Sequence, residues 1–140
     1  MSWRLKQKNK YKEYIPIEKY NESGIYCIKA NEEIIYIGKS KNMRERIAEH
    51  IYEINWGGEK KYRILREMRL AGVRIGFDVL EYTEDLKEAE GRLIRKYLPI
   101  LNTQIPKEEG GWLVHDISYL LDGEWEKYLN QDKMYGLYFN

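Results

Sequence analysis

The chain has 140 residues, 43% of them hydrophobic and 34% charged, with a formal net charge of +1. That length suits one domain with a buried core, and the composition excludes a disordered polymer. A charge so near zero excludes a surface coated with nucleic-acid-binding cations, and a single cysteine, Cys27, excludes both an internal disulfide framework and a thiolate zinc site.

Residues 1–12 carry Arg4, Lys6, Lys8, Lys10 and Lys12 without an acid. The segment 1–23 reads as a basic amino-terminal arm, which either tracks phosphates by counterion release or is a solvated, frayed terminus. No apolar run here has the length of a signal peptide or a membrane span, so a cytoplasmic location is expected. Residues 24–30 and 33–38 read as two strands of a hairpin around Asn31-Glu32. Asn42, with Glu45 three residues on, opens a helix that runs from Met43 to Ile54. A second helix over 59–71 stops at Gly72. Alternation over 73–80 predicts a third strand, and Thr83-Glu84-Asp85 opens a third helix that continues through Tyr97. Charge changes sign near Pro106, which separates a domain over 24–106 from an acidic carboxyl-terminal extension over 107–140. That extension suggests a helix over Asp116–Leu121 and an aromatic end at Tyr135, Leu137, Tyr138 and Phe139.

The expected fold class is therefore α/β, a small sheet covered by helices. Two placements stand out. Leu86, Ala89, Leu93, Ile94 and Tyr97 mark the inward stripe of the third helix, and Glu90 falls inside it. A carboxylate there needs a cationic partner or a metal. On the first long helix Arg46 and His50 lie one turn apart and project together. A guanidinium can hold a phosphate oxygen through two hydrogen bonds, and an imidazole can take a proton at neutral pH.

The triplets Gly24-Ile25-Tyr26 and Tyr36-Ile37-Gly38, followed by Lys39, Arg46, His50, Glu90 and Asn102, resemble the signature of the GIY-YIG nuclease family. Arg46 lies eight residues after Gly38, and Glu90 lies nine before Pro99 and twelve before Asn102, as in the family pattern. The resemblance implies a three-stranded mixed sheet flanked by helices. It implies a metal-dependent DNA endonuclease that leaves a 5′ phosphate and a 3′ hydroxyl. It further implies Glu90 as ligand of one divalent ion, Mg²⁺ or Mn²⁺, since carboxylate and water are hard oxygen donors. By the same resemblance Tyr26, Tyr36, Arg46, His50 and Glu90 are catalytic, and Lys39 and Asn102 bind substrate. Tyr26 or His50 orients or deprotonates the attacking water, directly or by relay. Arg44 ranks below Arg46, Ser40 is a helix-start residue, and His115 is structural.

Whether Tyr26 and Tyr36 share a face depends on register. A two-residue loop places them on opposite faces, and a bulge or a three-residue loop brings them together. The extra domains of the repair, structure-selective and homing branches are not visible, which suggests a compact restriction-type or mobile-element member. The expected partner is double-stranded DNA, with a homodimer if both strands are cut. The alternative is a catalytically silent nucleic-acid-binding module of the same fold. Lys60, Lys61, Arg63, Arg66 and Arg69 are either a DNA-reading face or the solvated side of the second helix.

Overall fold

The computed structural model describes residues 1–129. The elements are α1 (Trp3–Lys12), α2 (Ile17–Tyr20), β1 (Gly24–Ala30), β2 (Glu33–Ser40), α3 (Met43–Trp56), α4 (Lys60–Leu70), β3 (Ile75–Tyr82), α5 (Leu86–Tyr97), β4 (Gln104–Pro106) and β5 (Trp112–Val114). The strand order is β2-β1-β3. Both pairings are antiparallel, where a mixed sheet was expected. The reason is topological: α3 and α4 return the chain so that β3 runs parallel to β2, but central β1 separates them.

β1 is buried at nearly every position, as a central strand covered on both sides must be. On one face Tyr26 packs with Met43 and Ile47 of α3, while Ile28 joins Leu65 and Met68 of α4. On the other, Ile25, Cys27 and Ile37 pack with Ala89, Leu93 and Ile94 of α5. Each fully buried isoleucine contributes roughly 1.5–3 kcal/mol to this three-layer arrangement. Tyr97 does not belong to the inward stripe of α5; it is 43% exposed because the helix ends there, and Leu98 takes φ +44°.

The hairpin combines both of the geometries weighed from sequence. Its loop has two residues, Asn31 and Glu32, both at positive φ. Lys29 pairs with Ile34 but Ile28 pairs with Tyr36, so Ile35 is an extra residue in β2. Tyr26 pairs with Gly38 two positions further along. The bulge thus puts Tyr26 and Tyr36 on one face.

The basic amino terminus is a helix packed on α3. Arg4 pairs with Glu53 at 3.0 Å, Lys8 with Glu49 at 3.2 Å, and Lys12 with Glu45. These positions step by four in opposite directions, one turn per rung, as antiparallel helices require. The acids of α3 therefore occupy three of the five cations expected to be free for phosphates.

β4 and β5 form a two-stranded hairpin against α5, with Pro106 packed near Gly91. The expected helix over Asp116–Leu121 is a shorter 3-10 turn over Ile117–Leu120, with Asp116 accepting from the Ser118 amide. The aromatic end at 135–139 lies outside the described residues. Among the described residues no helix is long and apolar enough to cross a membrane.

Candidate active site

An open groove of about 1140 Å³ runs along the β2 edge of the sheet, lined by Tyr36, Lys39, Glu59, Lys61 and Glu90. Edge position explains it: among the described residues β2 has no neighbouring strand on this side, and α4 and α5 pack on opposite faces of the sheet. Glu90, on the rim of α5, keeps 19% of its side chain exposed and accepts an ion pair from Lys39 at 3.4 Å. The cationic partner demanded by a carboxylate on an apolar stripe is thus Lys39.

Behind Tyr36, on the α3 side, lies a chain of three aromatic hydrogen-bonding groups. The Tyr26 hydroxyl is 2.6 Å from His50 Nε2, and His50 Nδ1 is 3.0 Å from the Tyr62 hydroxyl. The Tyr36 ring meets the His50 ring edge-on at 5.5 Å and links this chain to the groove. His50 is fully enclosed, and burial, then Arg46, then Lys61, push its pKa down to about 2. It is a neutral imidazole with both nitrogens engaged. Direct attack on a substrate water by His50, one option from sequence, does not fit this enclosure. Relay through Tyr26 would keep His50 out of contact with that water, although the phenol itself is only 1% exposed. Burial raises the Tyr26 phenol well above its ordinary value; Tyr36 adds to this and Arg46 opposes it. Tyr36 is raised by burial too, with Arg46 again opposing.

Gly38 is fixed by this chain. A Cβ there would land on the Tyr26 hydroxyl, so only glycine lets the phenol reach across β2. A Cβ at Gly24 would collide with the Glu81 carbonyl and come within 2.9 Å of Met43 Cε. The two signature glycines are close-approach positions.

Arg46 donates to Glu49 at 2.8 Å, and Glu49 also takes Lys8 at 3.2 Å. Burial would raise the Glu49 carboxyl, but hydrogen bonds from Lys8 and Arg46 more than offset it and hold it low. Arg46 stays charged, and its field acts on Tyr26, Tyr36 and Tyr62. Arg44 is spent elsewhere, donating to the carbonyls of Ile15 and Lys12. Ser40 exchanges hydrogen bonds with the Asn42 backbone, and Asn42 caps α3 through the Glu45 amide.

Asn102 corrects the expectation for its amide. Although Asn102 lines the groove, its amide is bonded to the backbone of β2 and not to Glu90: its Oδ1 accepts from Ile37 N at 2.9 Å and its Nδ2 donates to Ile37 O at 2.9 Å. The side chain replaces the missing neighbour of edge strand β2, holding the second triplet in place. His115 accepts its structural role through the Asn102 carbonyl at 3.0 Å and the Tyr119 hydroxyl at 2.8 Å.

Sequence reasoning did not single out Tyr62, and it named Lys61 only as one of five cations on the second helix. Tyr62 follows the apolar stripe of α4 with Leu65 and Met68, where a core tyrosine looks no different from a functional one. Arg66 is the C-terminal cap of α3, donating to the carbonyls of Glu53, Ile54 and Gly57. That removes it from the solvated or DNA-reading face.

Among the described residues no cluster of three His, Cys, Asp or Glu could hold a metal. Glu90 offers a carboxylate to the groove beside Lys39 and Tyr36, a donor suited to one hard cation completed by water and substrate oxygens.

Known proteins resemble this chain at the level of the family. Over 87 residues, 62% of this chain, it is 29% identical to UvrABC system protein C of Fusobacterium nucleatum. Over 94 residues, 64% of this chain, it is 32% identical to the protein of the same name from Lactobacillus johnsonii. The chain spans about 14% of the length of these relatives. Among solved structures, it resembles the magnesium-bound GIY-YIG N-terminal endonuclease domain of UvrC from Thermotoga maritima, with a TM-score of 0.41 and 22% identity over 73% of this chain and 99% of that one. The model of the GIY-YIG catalytic domain matches residues 22–104, from just before the first triplet to just past Asn102. With that match over more than half of its residues, the chain belongs to the GIY-YIG catalytic domain family.

Proposed function

We propose that this chain is a divalent-cation-dependent DNA endonuclease that hydrolyses phosphodiester bonds to leave a 5′ phosphate and a 3′ hydroxyl. The observation that carries the reading is the convergence of Tyr36, Lys39 and Glu90 on one open groove, with the Tyr26–His50–Tyr62 chain directly behind Tyr36.

Glu90 would hold one Mg²⁺ or Mn²⁺ ion, which supplies positive charge at the scissile phosphate. Binding there would release Lys39 from its ion pair to meet a phosphate oxygen. Arg46 supplies a permanent charge for the transition state, tempered by Glu49. Neutral His50 has one donor and one acceptor nitrogen. When Nε2 accepts the Tyr26 proton, Nδ1–H donates to Tyr62, and the lone pairs of the Tyr26 oxygen are left to orient a water. Tyr36 forms the wall against which the phosphate sits. Asn102 positions this wall by clamping Ile37 and does not touch the substrate.

In this reading the domain over 24–106 carries the chemistry and α1 braces α3, while Ile117, Leu120, Trp125 and Leu129 of the described part of the extension pack with Tyr62, Leu65 and Met68 of α4. Double-stranded DNA as substrate, dimerisation for double-strand cutting and a cytoplasmic location belong to the same proposal. Incubation with supercoiled plasmid in Mg²⁺, beside Arg46→Ala, tests it. Nicked product whose ends a DNA ligase reseals without kinase treatment supports it; binding without any cutting across divalent metals would favour the silent module.

A further inference from the structure

Among the described residues Lys61 is a cation with no anion bonded to it. It lies in the wall of the groove, partly buried, with its Nζ 4.4 Å above the Tyr36 ring and 4.8 Å from the Tyr62 ring centre. Three cations nearby are already engaged: Lys39 has Glu90, Arg46 has Glu49, and Arg66 has three carbonyls. Among the described residues Lys61 makes no ion pair or hydrogen bond with any of them. A desolvated ammonium in that position is costly, and the ring faces offset only part of the cost.

Its surroundings add to the demand for an anion. Burial, then the charge of Arg46 on α3, lower the Lys61 ammonium to about 8, while Glu59 and Glu53 act weakly the other way. The phenols that face it, Tyr36 on β2 and Tyr62 on α4, are both raised, so they offer neutral rings and no phenolate. An anion entering the groove would meet Lys61, Lys39 and Tyr36 together.

We propose that Lys61 is a phosphate-binding residue of this groove, its ammonium seated on Tyr36 to take a phosphodiester oxygen of the bound DNA strand. This rests on the nucleic-acid reading above and adds a contact that none of the signature positions supplies. It also gives Tyr36 a second part: besides facing the reaction, it is the platform that aims this lysine. The basic residues of α4 then divide by role, with Arg66 capping α3, Arg69 bonded to Asn55 and Lys61 facing substrate.

The test is the salt dependence of binding to a labelled duplex of about 20 base pairs in EDTA, from roughly 50 to 200 mM salt. Loss of one phosphate contact lowers the slope of log affinity against log salt by about 0.9. Lys61→Met, which keeps the stem, is expected to lose about that slope and to bind about tenfold more weakly at the low-salt end. Lys61→Arg is expected to restore both. Inorganic phosphate at the same ionic strength should compete no better than chloride if the site reads a DNA strand; strong competition would overturn the strand assignment. Wild-type binding with an unchanged slope in Lys61→Met would overturn the Lys61 proposal alone. Failure of the wild type to bind DNA would overturn the nucleic-acid reading together with it.

Discussion

The Tyr26 hydroxyl and His50 Nε2 stand 2.6 Å apart in a pocket from which His50 sees no solvent. The contact couples a residue of the first triplet to the α3 face that carries Arg46. Tyr26→Phe removes the only hydroxyl on that nitrogen and leaves a buried acceptor unpaired, at a cost of about 1–3 kcal/mol. Cleavage is expected to fall further, about 10²-fold or more, if the phenol orients the water. Urea unfolding and single-turnover cleavage on the same preparation separate the two effects. Wild-type cleavage by Tyr26→Phe would take the phenol out of the chemistry.

His50 makes stability depend on acid. Unfolded, its imidazole takes a proton near pH 6.5; in the fold, burial delays this to about 2. Below 6.5 the unfolded chain therefore binds the extra proton, so the stabilisation is present above that pH and is lost as pH falls toward 2. At pH 5 the loss relative to pH 7 is about 2 kcal/mol. Urea midpoints at both values, for wild type and His50→Asn, check it: the variant should show a much smaller difference between them.

Gly38→Ala should behave like a blocked active site with a damaged core. The added methyl meets the Tyr26 ring and hydroxyl, which cannot retreat without breaking the His50 contact. A cost of about 1–3 kcal/mol is expected from overpacking. Thermal unfolding and plasmid cleavage would both report it; an unaffected variant would show that Tyr26 can move freely.

Asn102→Ala tests the clamp on the second triplet. It strands the amide and carbonyl of Ile37, both beside a fully buried side chain, and should cost about 2–3 kcal/mol. Its hydrogen-exchange signature is specific: the Ile37 amide should lose protection in the variant more than the central amides of β1 do. Uniform change would contradict the clamp.

Much of this arrangement was legible in sequence, for identifiable reasons. The triplets, Arg46 and Glu90 sit at fixed spacings on strongly patterned elements, and the Asn42 cap is a local signal that the structure reproduces. What could not be read depends on groups far apart in the chain. The register of Tyr36 turns on an unpaired Ile35, which carries no distinguishing residue type. The partner of Asn102 is 65 positions away. The cations of α1 look like an arm until the matching acids Glu45, Glu49 and Glu53 of α3 face them. Lys61 and Tyr62 differ from ordinary helix residues only through where α4 docks.

The rungs of that α1–α3 ladder are partly buried but still reach solvent, which screens them, so each is worth little by itself. Lys12→Ala should shift stability by less than about 1 kcal/mol. Lys8→Ala should do the same, yet change cleavage, because Glu49 then has only Arg46 to satisfy it. Rates compared at equal folded fraction would expose that difference; identical changes in both variants would contradict a link from α1 to Arg46.

The central claim is that Glu90 holds a cation that the chemistry requires. Conversion of supercoiled plasmid by the wild type and by Glu90→Ala, each in Mg²⁺ and in EDTA, tests it most directly. The account predicts nicking by the wild type in Mg²⁺ only, and a loss of at least about 10³-fold in Glu90→Ala with duplex binding retained. Equal cutting by Glu90→Ala, or undiminished cutting by the wild type in EDTA, would contradict it.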